Sequence, residues 1–318
     1  MKNKNLSFIL LLAFFTLIII SCESNKSDLP VLGIVQITED EVLDNARLAL
    51  INQLKEDGFE DGKNIKIDYR NAQGDLSNII MILKSFKKDK VKMIITNSTP
   101  CMTSAAAVIK DIPVVFTVAF GPEQLGIKPG DNLYGIYDPM NMDKFVEIMK
   151  ASVPNLTKIG LPYNPSEANA ALAAENLEKS CLKNNISIIK IPVNNSTDIT
   201  MAIQSLKSQN VNAFVAASDN TVYLGLNQIA DYATKNSIPL FITDPLQAKK
   251  GAALGFGLNY ELWGRNSGKI ASKLLKNEAI ETNISPLEEY QIIINKSAAE
   301  KQGLIIPNEI MEKALIIN

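Results

Sequence analysis

The sequence predicts an α/β protein built from two doubly wound lobes, each on a parallel sheet, with a three-strand hinge between them. Short apolar runs that are typical of buried strands alternate with longer segments in which apolar residues recur at helical spacing. This alternation restarts near Met142 with the same element order. Apolar strands separated by helices favour parallel sheets covered on both faces, so two such series indicate two lobes and not one large sheet.

The first series defines lobe one. It opens with the strand Val31–Val35 and a helix over Val42–Asp57, which Gly58 would end as a C-cap glycine. The rest of the series comprises strands over Ile65–Tyr69, Met93–Thr96, Val114–Thr117 and Leu133–Ile136, and helices over Leu76–Lys88 and Met102–Lys110. We assign residues 30–137 and 258–286 to this lobe.

The second series defines lobe two, residues 138–257 and 287–318. Its predicted strands are Lys158–Leu161, Ser187–Ile191, Ala213–Ala216 and Pro239–Ile242, and its predicted helices are Met142–Ala151, Glu167–Asn184, Ile199–Gln209 and Val222–Lys235. The last segments are a strand over Ala252–Gly257, a helix over Leu262–Lys276, a strand over Tyr290–Ile294 and a short helix over Ser297–Gln302. Because these segments return the chain between lobes, we expect hinge crossings near Tyr137–Pro139, Gly257–Tyr260 and Ser285–Glu288.

The N-terminus is typical of an export signal. Lys2 and Lys4 precede the apolar run Phe8–Ile20, which is too short to span a bilayer comfortably and fits the core of a signal peptide. The run ends at Ile19-Ile20-Ser21-Cys22, which resembles a bacterial lipobox. This resemblance implies a signal peptide over residues 1–21, lipid on the Cys22 sulfur, a tether over 22–29 and a membrane partner; the alternative is an ordinary signal peptide with an incidental cysteine.

Composition excludes several classes of protein. The net charge of −2 gives no indication of nucleic-acid binding. The chain has no histidine, which removes Ser-His-Asp and Cys-His nucleophilic sites and the common zinc sites. We therefore expect no enzyme activity, no metal and no cofactor. Cys101 and Cys181 fall in different lobes, where a disulfide would hinder lobe motion, so we expect both to be free thiols in a monomer.

Ligands of open parallel sheets bind beyond the carboxyl ends of the strands. That rule selects the loops Gln36–Asp40, Asn97–Thr99, Val118–Phe120, Tyr163–Asn169, Ala217–Thr221 and Thr243–Leu246. Polar residues in these loops precede helices after Thr96, Tyr163 and Ala217, and helix N-termini attract carboxylates or phosphates. Ordinary helix capping is the alternative, since Ser, Thr, Asp and Asn are also the preferred caps.

Acidic and aromatic side chains fall at the same rim. A carboxylate close to an anion site suits a zwitterion, whose ammonium would meet the acid. The alternative for Asp138 and Asp244 is turn formation, because each precedes a proline. A flat ligand side chain could stack on Tyr163, Phe120 or Tyr137. The candidate ligand-binding residues are Gln36, Glu39, Asn97, Ser98, Thr99, Phe120, Asp138, Tyr163, Asn164, Ser166, Asn169, Asp219, Asn220 and Asp244.

Several sequence blocks from Val31 to Pro307 carry a family resemblance. They are Gly33-Ile34-Val35-Gln36-Ile37, Gly62-Lys63-Asn64-Ile65, Asn71-Ala72-Gln73-Gly74-Asp75, Asp111-Ile112-Pro113-Val114, Ser166-Glu167-Ala168-Asn169 and Asp219-Asn220-Thr221. With these blocks the chain resembles the tryptophan/tyrosine-type substrate-binding proteins of ABC transporters, with the type I periplasmic-binding fold. The resemblance implies an extracytoplasmic receptor that delivers an aromatic amino acid to a membrane permease and its ATPase.

The chain departs from that family pattern in the cleft loops. Glu39-Asp40-Glu41 stands where relatives usually have Glu-His-Pro, Cys101 follows Thr99-Pro100 where serine or alanine is usual, and Tyr137 replaces a small residue. These departures concern the ligand's side chain and not the fold.

The leading hypothesis is capture of an amino acid by domain closure. The ligand's carboxylate would be bound by Ser98, Thr99, Asn169 and Asn220. Its ammonium would be held by Asp138 and Asp219, with help from Glu39. The alternatives are a ligand-sensing input module for a membrane receptor, or a receptor for a different small solute.

Overall fold

A computed structural model describes residues 29–318. The predicted signal peptide and the lipidation site at Cys22 lie outside this range. Its strands, in chain order, are β1 (Val31–Gln36), β2 (Lys66–Asn71), β3 (Met93–Asn97), β4 (Val114–Phe120), β5 (Leu133–Asp138), β6 (Lys158–Tyr163), β7 (Ser187–Pro192), β8 (Ala213–Ala216), β9 (Leu240–Ile242), β10 (Leu254–Leu258), β11 (Ile284–Pro286), β12 (Tyr290–Asn295) and β13 (Ala314–Ile317).

Helices connect these strands and cover the sheets. They are α1 (Glu41–Glu56), α2 (Leu76–Lys88), α3 (Thr99–Val108), α4 (Met142–Ser152), α5 (Ala168–Lys183), α6 (Ile199–Ser208), α7 (Asn220–Leu224), α8 (Leu226–Asn236), α9 (Tyr260–Leu275), α10 (Lys296–Lys301) and α11 (Asn308–Met311). The helix predicted over Val222–Lys235 is two helices, because the chain breaks at Gly225. The α1 helix ends as expected, with Gly58 at a φ of 96° just after the C-cap.

Among residues 29–318 the strands form two sheets, which confirms the predicted fold class. The sheet of lobe one is six-stranded in the order β11-β5-β4-β3-β1-β2, and its pairs are all parallel. The sheet of lobe two is seven-stranded in the order β13-β12-β10-β9-β8-β6-β7. It departs from a purely parallel sheet at one place, where β10 and β12 pair antiparallel. Two edge strands, β11 and β13, were not predicted from the sequence.

The chain passes between the two sheets three times. It leaves the first sheet after β5, returns between β10 and α9, and crosses again between β11 and β12. As a result α9 packs on α1 of lobe one, although more than two hundred residues separate the two helices. The helices touch closely at Gly264, where an added Cβ would stand 2.0 Å from the carbonyl oxygen of Ala46. Only glycine permits this approach.

Each lobe has its own buried core. Phe86 and Phe116 anchor that of lobe one, and Phe145 and Phe241 lie edge to face at 6.4 Å in that of lobe two. Cys101 is buried in lobe one and Cys181 in lobe two, and both are free thiols, as expected. Burial in apolar surroundings raises the pKa of each thiol to about 12, so both are inert packing residues.

Candidate functional site

A cleft lies between the lobes at the carboxyl ends of the strands, where the strand order predicts a ligand site. It holds about 580 Å³ of space free of atoms, counted out to its mouth. Seven of the candidate residues line it: Ser98, Thr99, Phe120, Asp138, Asn169, Asn220 and Asp244. It is also lined by Thr38, Asp40, Val42, Leu43, Val118, Ala119, Ser218, Tyr223, Tyr260 and Trp263.

The backbone is strained where it borders the cleft. Three residues that line it have positive φ angles, which residues other than glycine rarely adopt: 125° at Ser98, 51° at Val118 and 45° at Ser218. At Val118 the strain accompanies a register shift in β4 between Phe116 and Ala119. Such conformations cost about 1–3 kcal/mol each and concentrate at ligand sites, where surrounding contacts hold them. This strain is a second indication, independent of the strand-end rule, that the cleft is functional.

On the lobe one side, hydroxyl groups offer hydrogen-bond donors. Ser98 caps α3, where its Oγ accepts from the Cys101 N–H, and the Thr99 Oγ1 accepts from the Phe120 N–H at 3.2 Å. Each hydroxyl thereby uses an acceptor position and keeps its own hydrogen to donate. Donors at a helix N-terminus fit an anionic ligand group.

Gln36 and Asn97 support this loop from behind and do not line the cleft. Both are fully buried, and Asn97 Nδ2 donates to Gln36 Oε1 at 2.9 Å and to the Leu43 carbonyl at 2.8 Å. Gln36 Nε2 in turn donates to the Thr38 carbonyl and to Asp44. The two amides therefore hold the ends of β1 and β3 in register behind the ligand-facing residues.

Asp244 presents a buried carboxylate to the cleft. Its side chain is 1% exposed, and its Oδ1 has no hydrogen-bond partner among the described residues. Burial first, and then the nearby charge of Asp40, raise the pKa of Asp244 well above its ordinary value. A buried carboxylate without a partner is unfavourable in the empty protein. A cationic ligand group placed beside it would pair with this charge and remove that penalty.

Two further oxygen atoms strengthen the acceptor character of the cleft. Asn169 gives its amide hydrogens to the Ser218 carbonyl at 2.5 Å and to Glu167, which leaves its buried Oδ1 without a partner in the part of the chain described. Asp138 accepts from the Met140 N–H at 2.7 Å and the Tyr290 hydroxyl at 3.0 Å, both at Oδ1. Burial raises the pKa of Asp138 to about 6.

Asp219 is placed differently from Asp244. It is fully buried but does not line the cleft, since its Oδ2 accepts from the Asn164 N–H at 2.6 Å and its Oδ1 caps α7 at Val222. Burial and the nearby charge of Glu167 raise the pKa of Asp219. Its carboxylate therefore joins two loops within lobe two. In this position Asp219 does not face the cleft, where the sequence analysis expected it to hold the ligand's ammonium.

Glu167 occupies the helix N-terminus that the sequence suggested for the ligand. Its carboxylate accepts from the backbone and side chain of both Asn220 and Thr221, at distances from 2.6 to 3.2 Å. The backbone N–H groups of Asn220 and Thr221 at the start of α7 are thus satisfied within the protein, which leaves the second amide hydrogen of Asn220 as a donor for a ligand there. Of the predicted anion sites, the one at Ser98 and Thr99 retains donors that face the cleft.

The remaining candidates lie outside the cleft lining. Glu39 and Ser166 are exposed, Asn164 is buried and donates to Thr221 Oγ1 at 2.9 Å, and Tyr163 packs against the core of lobe two. Tyr137, a possible stacking residue, instead borders a separate surface depression of lobe one. The strand-end rule selected loops that border the cleft but could not show which of their side chains turn inward.

Sequence reasoning missed the aromatic wall. Trp263 and Tyr260 begin α9, with ring centroids 5.7 Å apart, and Tyr223 faces them from lobe two. Trp263 Nε1 donates to the Ile136 carbonyl at 2.6 Å, which fixes its ring beside the crossing after β5. Tyr260 and Trp263 belong to a helix of lobe one that follows β10, a strand of lobe two. A list of loops drawn up within each lobe therefore omits them. The signal was the pair Tyr260 and Trp263 directly after the glycine-containing strand β10.

The charge and chemistry of the cleft define what it can hold. Three of its lining residues, Asp40, Asp138 and Asp244, are acids, and the lining described contains no lysine or arginine. Across residues 29–318, no group of His, Cys, Asp and Glu side chains could hold a metal ion. No helix in that same range is both long and apolar enough to cross a membrane. The site thus suits a small molecule with a positive group, held by hydrogen bonds and aromatic contacts.

Two α/β lobes with a cleft at their facing strand ends define a solute receptor of the periplasmic-binding class. The family model described as ABC transporter substrate binding protein matches residues 31–316. The chain belongs to this family. Its members bind solutes outside the cytoplasm and are not enzymes.

Individual relatives agree with that assignment. The chain is 32% identical over 271 residues to the tyrosine-binding protein of Clostridioides difficile, covering 83% of this chain and 78% of that protein. A structure from Streptococcus pneumonia in complex with L-Trp is 23% identical with a TM-score of 0.85, over 91% of this chain and 100% of the other. A ligand-free, open substrate-binding protein with adhesive properties from Clostridium difficile is 30% identical with a TM-score of 0.68, over 91% and 99%.

Proposed function

We propose that this substrate-binding protein captures an aromatic amino acid as a zwitterion between its lobes. The single observation that carries this proposal is the buried Oδ1 of Asp244, an unpaired acceptor in a cleft whose described lining has no basic side chain. An ammonium would neutralise it, with Asn169 Oδ1 as a second acceptor and Asp138 nearby. The carboxylate would meet the hydroxyls of Ser98 and Thr99 at the start of α3.

The aromatic wall supports an aromatic side chain on the ligand. Tyr260, Trp263, Phe120 and Tyr223 line the cleft together and offer ring faces and edges. Aromatic pairs gain about 0.5–1.5 kcal/mol beyond the burial of their area. The tyrosine-binding protein of Clostridioides difficile and the structure in complex with L-Trp agree with this choice.

The lobe arrangement supports capture by closure. The structure resembles the L-Trp complex more closely than the ligand-free, open relative, with TM-scores of 0.85 and 0.68, although the open relative has the higher sequence identity. Side chains of the two lobes also hydrogen-bond across the cleft, for example Gln247 to Asp40 at 3.0 Å. A ligand that prefers the closed arrangement would shift an existing equilibrium toward it.

The test is calorimetry of the purified protein with each of the twenty standard amino acids. We expect L-tyrosine, L-tryptophan or L-phenylalanine to bind more tightly than leucine or lysine. Mass spectrometry of small molecules released on denaturation provides an independent check, because a tightly held ligand copurifies. Tight binding of a sugar, with no response to any amino acid, would overturn the proposed ligand and leave the family intact.

We further propose that the protein is tethered to the membrane through Cys22 and supplies an ABC permease. The support is the lipobox pattern at Ile19-Ile20-Ser21-Cys22 together with membership of the family. A Cys22→Ser variant should leave the membrane fraction and lose incorporation of labelled fatty acid. Uptake of labelled tyrosine by cells should fall when the protein is deleted; unchanged uptake would favour the alternative role of a ligand-sensing module.

A further inference from the structure

The start of α1 and the segment Pro245–Lys250 meet across the mouth of the cleft, one from each lobe. Gln247 Nε2 donates to both carboxylate oxygens of Asp40, at 3.1 and 3.0 Å. Lys250 Nζ lies 3.5 Å from Asp40 Oδ2, and Lys249 Nζ forms an ion pair with Glu41. These contacts join the loop after β1 in lobe one to the segment between β9 and β10 in lobe two, so they exist only while the lobes are together.

The inner part of this contact is shielded from water. Gln247 is fully buried, and the side chains of Asp40 and Lys250 are 12% and 29% exposed. Asp40 is also held on its own lobe, since Oδ1 caps α1 by accepting from the Val42 N–H at 2.9 Å. A fixed, desolvated carboxylate that receives a charge-assisted hydrogen bond makes a strong contact, whereas the outer Glu41–Lys249 pair is exposed and weak.

The same segment carries the residue that faces the ligand. Asp244 directly precedes it, and the Gln247 N–H donates to the Asp244 carbonyl at 3.1 Å. The segment is held from behind by Asn295 Nδ2, which donates to the Ala248 carbonyl at 3.0 Å. A ligand on Asp244 therefore positions the segment Pro245–Lys250, from which Gln247 and Lys250 reach lobe one.

We propose that Asp40, Gln247 and Lys250, with the outer pair Glu41–Lys249, form an interlobe latch that sets the open–closed equilibrium of the receptor. The latch controls how long a bound molecule is retained, because the ligand leaves only after these contacts break. The proposal rests on the proposed function only in assuming that a ligand lies in the cleft. The apparent dissociation constant rises as the closed fraction falls, and the closed fraction can be measured without ligand.

Charge reversal tests the outer pair, whose residues do not line the cleft. Glu41→Lys places a third cation beside Lys249 and Lys250, and Lys249→Glu places a third anion beside Asp40 and Glu41. Each single variant should bind L-tyrosine about three- to tenfold more weakly, through faster dissociation. The double variant Glu41→Lys with Lys249→Glu restores an opposite-charge pair and should return to within about twofold of the native protein.

The buried arm is tested by Gln247→Leu, which is similar in size and removes the donor to Asp40. We expect at least a tenfold loss of affinity for L-tyrosine, because a hydrogen bond to a charged group is lost. The matched control is Lys144→Glu, which breaks an exposed ion pair with Glu147 inside lobe two at 3.0 Å. It should change neither affinity nor closure.

The two readouts are the dissociation constant for L-tyrosine and the closed fraction of ligand-free protein, from single-molecule energy transfer between dyes on each lobe. The closed fraction should fall in each single variant and in Gln247→Leu, and recover in the double. If L-tyrosine does not bind the native protein but the closed fraction follows this pattern, the proposed function fails and the latch stands. If all variants keep the native closed fraction and the native affinity, the latch is wrong.

Discussion

The substitution Asp244→Asn separates two effects of one carboxylate, and they have opposite signs. Asparagine has nearly the same shape and keeps an oxygen to accept the backbone N–H groups near Leu246 and Gln247. It removes the negative charge that burial makes unfavourable in the empty cleft. Ligand affinity should therefore fall while the stability of the ligand-free protein rises, a trade-off that is common at binding sites.

The sizes follow from the burial of Asp244, which is 1% exposed. Truncating one partner of a buried, hydrogen-bonded charge pair costs about 2–5 kcal/mol, so the dissociation constant for L-tyrosine should rise by roughly thirtyfold or more. An unpaired buried polar group costs about 1–3 kcal/mol and an unpaired charge more, so replacing the buried charge with a neutral amide should raise the melting temperature by several degrees at pH 7.

The stability gain must depend on pH in a defined direction. Burial raises the pKa of Asp244 in the folded state, so the folded protein holds this proton more tightly than the unfolded chain, whose carboxyl has an ordinary pKa of about 4. The native protein is therefore penalised above pH 4 and not below it. The advantage of Asp244→Asn should grow from pH 4 upward and vanish below about pH 4.

Calorimetry with L-tyrosine at pH 7 and thermal melts at pH 3.5, 5.5 and 7 measure both effects. Asp231→Asn is the matched control, since it makes the same change on the exposed face of α8 in the same lobe. It should alter neither quantity. Affinity within threefold of the native value, or a lower melting temperature at pH 7, would refute the reasoning that Asp244 is an unpaired acceptor kept for the ligand.

Three further predictions test other parts of the molecule. If Asp138, with its pKa raised to about 6, helps to hold an ammonium, then L-tyrosine should bind more weakly as pH falls below 6, by up to about tenfold per unit, and calorimetry should show a flatter dependence in Asp138→Asn. Gly264→Ala should cost about 3 kcal/mol by thermal melting, because the new Cβ meets the Ala46 carbonyl; an unchanged melting temperature would contradict that packing. Cys101 and Cys181 should react with iodoacetamide at pH 8 at least about a hundredfold more slowly in the native than in the unfolded protein.

Much of the fold could be predicted because its strands are apolar and its helices amphipathic. The helix over Leu76–Lys88 agrees at both ends, since Asp75 caps its start and its apolar residues recur on one face. The strand predicted to end at Thr117 continues to Phe120 past a register shift, where Val118 takes a left-handed φ that no local pattern indicates. Such strain is imposed by tertiary contacts and is not encoded in residue type.

The two unpredicted strands lacked a local signal for a different reason. β11 is three residues long and ends in a proline, and in β13 both Leu315 and Ile316 are exposed. Edge strands of this kind depend on a neighbouring strand that is distant in sequence. The antiparallel pairing of β10 and β12 likewise follows from the chain leaving lobe two and coming back, which alternation of strands and helices does not show.

The site could be predicted at the level of loops and not of roles. Asp219 and Asp244 both follow short apolar strands and both precede helical turns, and from the sequence we assigned the ligand's ammonium to Asp219 and not to Asp244. They differ because Asn164 and Val222 donate to Asp219, whereas one oxygen of Asp244 has no donor in the described structure. Which acid is satisfied depends on loops that meet only in three dimensions.

The acidic first loop shows how a departure from a family pattern can be informative. The family resemblance implies a histidine at the position of Asp40, and from the sequence we connected that change with the ligand's side chain. In the structure Asp40 lines the cleft, caps α1 and receives Gln247 from the opposite lobe. A carboxylate can do all of this at once because it offers several lone pairs to donors from both lobes. Under the proposed latch, changes at Asp40 should therefore alter the dissociation rate of the ligand together with specificity.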